Sequence, residues 1–131
     1  MKEKSVLIVD DNPINMKLVR VLLTGEGYQV RTAGDAVEAW AVLKQWHPSL
    51  ILMDIQLPGI DGLELTRQLK ADSTTEHIAI IGLTAYAMKG DEERILAAGC
   101  DGYIAKPIDT RTLPHLIATL IERKAAIVKT A

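Results

Sequence analysis

Short, unbroken apolar runs recur along this chain, and each is followed by a longer segment with helical spacing. Val6-Leu7-Ile8-Val9, Leu50-Ile51-Leu52-Met53 and the run from Ile78 to Leu83 lack the alternation of a strand that shows one face to water. A strand reads this way when helices cover both of its faces, which is the situation of a parallel sheet. Gln29 to Ala33 alternates and is expected nearer an edge, and Gly102 to Ala105 supplies one more short strand. Roughly five strand–helix units in succession specify an α/β domain with a parallel sheet and helices on both faces. Right-handed crossovers then leave few topologies.

The intervening segments carry helix signals. Asn12 is a good N-cap and Pro13 suits the first helical position. The helix that follows is expected to turn Leu18, Val19, Leu22 and Leu23 inward and to end at Gly25 or Gly27. Ala36, Ala39, Trp40 and Leu43 form the stripe of a second helix that stops before Pro48, with Trp40 and Trp46 both expected on it. Pro58-Gly59 marks a turn, and Asp61 with Glu64 has capping-box spacing for a helix through about Ala71. A shorter helix is expected from about Gly90 to Ala98. The last helix carries Leu113, Leu116, Ile117, Leu120 and Ile121 at core spacing, with Pro114 confined to its first turn or distorting it. Residues 1–131 read as a single domain, with a core from about 4 to 124 and a tail at 125–131 without order.

Net charge is −2, from 15 basic and 17 acidic residues, and no basic stripe appears, so no direct nucleic-acid partner is expected. No apolar run reaches the roughly 18–20 residues that cross a bilayer. Met1-Lys2-Glu3-Lys4 leads straight into the first strand without the apolar segment of a signal peptide, so a cytoplasmic protein is expected. Cys100, the only cysteine, can form no internal disulfide and reads as a small buried hydrophobe. His47, His77 and His115 have no ligand spacing.

The chemistry collects where strands end. Asp10 and Asp11 follow the first strand, Asp54 the third, Thr84 the fourth and Lys106 the fifth. In an open parallel sheet these C-terminal ends share one edge, and ligands bind there at the topological switch point. With strand order 2-1-3-4-5, three carboxylates converge, and such a group takes up a proton or a cation. An all-oxygen site suits Mg²⁺, a cofactor that often accompanies phosphate. Lys106 offers a point charge for phosphate oxygens and Thr84 a hydroxyl. A carboxylate nucleophile, a metal, a cation and a hydroxyl together serve phosphoryl transfer. Taken singly, each has a plainer role: a strand-end Asp as a helix cap, Thr84 as a turn residue, Lys106 as a solvated lysine.

Asp10-Asp11-Asn12, Leu52-Met53-Asp54 with Pro58, Thr84-Ala85 and Lys106-Pro107 resemble the motif set of response-regulator receiver domains, in order and over nearly the whole chain. The resemblance implies a flavodoxin-like (CheY-like) doubly wound sheet of five parallel strands, order 2-1-3-4-5. It implies that Asp54 accepts a phosphoryl group from a sensor histidine kinase or a histidine phosphotransfer protein. It implies further that Asp11, Asp54 and the backbone carbonyl of Gln56 ligate Mg²⁺, with Asp10 acting through a bound water. It also implies that Thr84 and Lys106 assist the transfer, that the Lys106-Pro107 bond is cis, and that Tyr103 turns inward when Thr84 is drawn to the phosphoryl group. A downstream protein then reads the face of the fourth helix, fifth strand and fifth helix. The side chains of Gln56 and Tyr86 bear on phosphoaspartate lifetime in this family.

Asn15-Met16-Lys17-Leu18, Leu50 through Pro58 and Ala87 through Arg94 are similar to stand-alone cell-division regulators, and also to receiver modules of hybrid histidine kinases. Met1 close before the first strand and an end soon after the last helix favour the stand-alone form. Rival readings are less consistent with the residues. A haloacid-dehalogenase-type phosphatase places its acids as Asp-x-Asp, whereas Asp10 and Asp11 are adjacent. A flavin module needs a Ser/Thr/Gly-rich phosphate loop where Asp-Asp-Asn-Pro stands. A receiver that never takes phosphate would not need the full acidic set.

Overall fold

Five strands, β1 (Ser5–Val9), β2 (Gln29–Ala33), β3 (Leu50–Asp54), β4 (Ala79–Thr84) and β5 (Gly102–Ala105), form one sheet in the order β2-β1-β3-β4-β5. Every pairing is parallel. The computed structural model describes residues 5–57, 59–84, 91–105 and 108–130. The helices α1 (Pro13–Gly25), α2 (Ala36–Leu43), α3 (Gly62–Ala71), α4 (Asp91–Ala97) and α5 (Leu113–Thr130) alternate with the strands. β1, β3 and β4 are buried at every position, which is why their sequences are continuously apolar, while β2 at the edge exposes Gln29 and Arg31.

The alternating direction of strand side chains splits the core into layers. On one face Leu7, Val9, Ile51, Met53 and Ile80 pack with residues of α2, α3 and α4, among them Ala39, Leu65, Leu69 and Ile95. On the other, Val6, Ile8, Leu52 and Ile81 pack with Val19 and Leu23 of α1 and with Leu113, Ile117 and Leu120 of α5. Each fully buried Leu or Ile contributes about 1.5–3 kcal/mol of transfer free energy, so the central strands anchor both layers.

Local chemistry sets the helix ends. Asn12 caps α1 by accepting from the Ile14 and Asn15 amides at 2.9 and 3.2 Å. Beyond its end, Gly27 adopts φ +93°, a left-handed turn that favours glycine. Leu18 does not face the core as its apolar character suggested. It is 47% exposed, with Ile14 and Val21 exposed beside it, because Val19 and Leu23 define the inward stripe and Leu18 lies on its flank. Trp46 likewise lies past α2, which ends at Leu43, and its ring packs under the Arg31 guanidinium at 4.7 Å. Only half of the expected capping box forms. Asp61 accepts from the Glu64 amide at 2.8 Å, but the Glu64 carboxylate turns to Arg67 at 3.4 Å.

Pro114 is the second residue of α5, where its missing N–H costs no helical bond. α5 continues to Thr130, through the segment read from the sequence as a tail. Pro58, Ala85 to Gly90, Lys106 and Pro107 lie outside the described residues, and with them the expected turn at Pro58 and the start of the fourth helix at Gly90.

Candidate functional site

The sheet register assembles the site. Val9 pairs with Met53, so Asp10, the residue after β1, stands beside Asp54, the last residue of β3. Asp54 pairs with Leu83, which sets Thr84 one step further along β4 on the same C-terminal edge. Asp10, Asp54 and Thr84 are all buried, while Asp11, already in the turn toward α1, is exposed. One carboxylate oxygen from each of Asp10, Asp11 and Asp54 lies within 4.8 Å of the others.

Backbone amides orient two of these carboxylates. Asp10 Oδ1 accepts from the Asn12 amide at 2.8 Å and Asp54 Oδ1 from the Gln56 amide at 3.0 Å. The backbone after Asp54 is held as well: the Ile55 amide donates to the Leu83 carbonyl and the Gly62 amide to the Ile55 carbonyl, both at 2.9 Å. Gly62 is required by this close approach, since a Cβ there would collide with the Asp54 carbonyl oxygen. The first turn of α3 is thus seated directly on the backbone of Asp54 and Ile55.

Two unit charges 4.8 Å apart repel by about 3 kcal/mol at an effective dielectric of 20. Three carboxylates carry more negative charge than a single lysine neutralises, and an all-oxygen donor set of this kind fits a hard divalent cation. Among the described residues this is the one group of three His, Cys, Asp or Glu side chains close enough to hold a metal ion. Lys106 and Pro107, expected at the same edge, lie outside the described residues.

Tyr103 sits in β5 with its ring half-buried against the α2–α3–α4 layer. The Glu92 carboxylate on α4, by its charge and by accepting a hydrogen bond from the phenol, holds the Tyr103 hydroxyl above its ordinary pKa of 10.0. Two further residues border the site that the sequence marked only for other reasons. Asp61 was legible as a helix cap and Arg94 as part of a motif stretch. Both line a cavity of about 220 Å³ that also touches Gln56 and Thr84. Their meeting depends on how α3 and α4 pack, and no local spacing reports it.

Comparison with known proteins agrees with this architecture. Residues 6–118 match the response regulator receiver domain family. The polar-differentiation response regulator DivK of Brucella ovis is 50% identical over 117 residues, covering 89% of this chain and 93% of that protein. A CheY-like response regulator receiver domain protein from Methanospirillum hungatei superposes with a TM-score of 0.87 at 31% identity, over 95% of this chain and 98% of that one. The receiver domain of a sensor histidine kinase from Pseudomonas aeruginosa, whose structure has a magnesium ion coordinated in the active-site cleft, superposes with a TM-score of 0.83 at 34% identity, over 92% of this chain and 99% of that one. No helix among the described residues is long and apolar enough to cross a membrane. By sequence and by fold, this chain belongs to the response regulator receiver domains of two-component signalling systems.

Proposed function

We propose that Asp54 accepts a phosphoryl group from a phosphohistidine on a sensor histidine kinase or phosphotransfer protein, and that the added charge switches contacts with a downstream protein. The observation that carries this reading is the convergence of Asp10, Asp11 and Asp54 at the edge of a receiver-family sheet. Asp54 is the nucleophile. Its rotamer is set by the Gln56 amide on Oδ1, so the carboxylate is oriented before a donor arrives. Asp11, Asp54 and the Gln56 backbone carbonyl would hold Mg²⁺, with Asp10 acting through a water. When bound, the ion neutralises charge on the phosphoryl oxygens. Thr84 donates its hydroxyl to a phosphoryl oxygen and Lys106 supplies a cation. Tyr103 reports the shift of Thr84 to the surface formed by α4, β5 and α5.

The partners on this reading are proteins. Ile14, Leu18 and Val21 expose an apolar strip on α1, which begins directly after the acidic turn, and a surface of that kind suits a protein donor rather than nucleic acid. On this reading the chain acts as a stand-alone regulator in the cytoplasm; its 50% identity to the response regulator DivK, over 93% of that protein, supports the regulator role. The expected chemical signature is a hydroxylamine-labile acyl phosphate, formed with acetyl phosphate and Mg²⁺, abolished by EDTA and reduced at least about tenfold in Asp11→Asn. A phosphoryl adduct that resists hydroxylamine, or that forms equally well in EDTA, would contradict the reading.

A further inference from the structure

A cavity beside the acidic cluster combines apolar walls with polar and charged groups. Ile55, Leu63 and Ile95 give it apolar walls, while Gln56 and Thr84, which flank Asp54, lie at the acceptor side. Two charged groups of opposite sign complete it: Asp61, the cap of α3, and Arg94, on the exposed surface of α4. At about 220 Å³ the cavity holds a molecule of roughly six to ten heavy atoms. A guanidinium presents a planar fork of donors matched to phosphate oxygens. Any small phosphodonor is itself an anion approaching three carboxylates, and a cation at the cavity adds to the attraction that Mg²⁺ and Lys106 would supply.

We infer that Arg94 is a positioning residue for small acyl phosphates, binding their phosphoryl oxygens in this cavity while the acyl group rests on Ile55, Leu63 and Ile95, with Asp61 opposing their entry. The inference rests on the reading of Asp54 as acceptor. In the transfer, an Asp54 carboxylate oxygen bonds to phosphorus as the bond from phosphorus to the acyl oxygen breaks, and the acyl group leaves as a free carboxylate. No oxidant or reductant enters. A phosphohistidine presented by a docked protein brings its own contacts, so Arg94 governs small donors above all.

The test is the second-order rate constant for phosphorylation by acetyl phosphate, measured across a range of ionic strength. Arg94→Gln is expected to lower it about tenfold at low salt and to flatten its salt dependence, with Arg94→Lys recovering much of the loss. Asp61→Asn keeps a capping side chain and removes the opposing charge, so it is expected to raise the rate constant several-fold. Opposite effects from the pair separate electrostatic positioning from general damage to the site. Wild-type rates in Arg94→Gln, or a loss in Asp61→Asn as large as that in Arg94→Gln, would overturn the inference alone. A wild-type protein that takes up no phosphoryl group would instead remove the reading beneath it.

Discussion

Cys100 lies buried with its Sγ 3.9 Å from the Thr66 hydroxyl, and the Thr66 hydroxyl in turn donates to the Gly62 carbonyl at 2.7 Å. Burial pushes its pKa from 9.0 to about 11, with the nearby Asp101 charge adding to the rise. The native state therefore favours the protonated thiol. The corresponding stability is fully present below about pH 9 and is lost as pH rises through about 11, a change of roughly 2–3 kcal/mol. Urea unfolding at stepped pH is expected to show this alkaline decline, and Cys100→Ala is expected to flatten its slope; an unchanged slope would sink the assignment. Cysteine burial was legible because a small thiol between glycines has few other roles. Asp10, Asp11 and Asp54 were legible for a different reason: each ends an apolar run, and parallel strands bring such ends to one edge. Arg94 and Asp61 had no such signal, since their proximity comes from helix packing rather than strand direction.

At the scale of elements, the strands were read closely because burial on both faces leaves only apolar residues acceptable. Helix faces were harder. An apolar residue on a helix flank looks the same in sequence as one facing the core, which is why Leu18 reads as a core residue yet is exposed. Nothing before Pro48 forbids helix at Trp46, yet α2 ends at Leu43 and the Trp46 ring lies against Arg31 of the edge strand. The elements are also joined by a polar clasp that the sequence did not announce. Lys70 on α3 donates to the Ile78 carbonyl at 2.8 Å and pairs with Asp101 at 3.2 Å, while Asp101 accepts from the Ile80 amide at 2.9 Å. This ties α3, β4 and the entry to β5 together, and so fixes the strand that carries Tyr103. Asp101→Ala leaves the Ile80 amide and the Lys70 ammonium short of an acceptor in a half-buried place. It is expected to cost about 2 kcal/mol of unfolding free energy by chemical denaturation. A loss below about 0.5 kcal/mol would mean that solvent replaces the carboxylate at little cost.

For the whole molecule, topology converts a linear pattern into a site. The strand order puts β1 and β3 side by side at the switch point, so residues far apart in the chain meet as one acidic cluster. The same sheet carries Thr84 and Tyr103 on the paired strands β4 and β5, the arrangement through which the proposed switch would act. The exposed apolar strip belongs to α1, which shares its layer with α5 and lies across the sheet from α4. Every proposed step depends on Asp54 as the single covalent acceptor. Intact mass spectrometry after incubation with acetyl phosphate and Mg²⁺ tests that directly, on wild type and on Asp54→Ala. One added phosphoryl group is expected on wild type and none on the variant; no adduct on either protein, or the same adduct on both, would refute Asp54 as the acceptor.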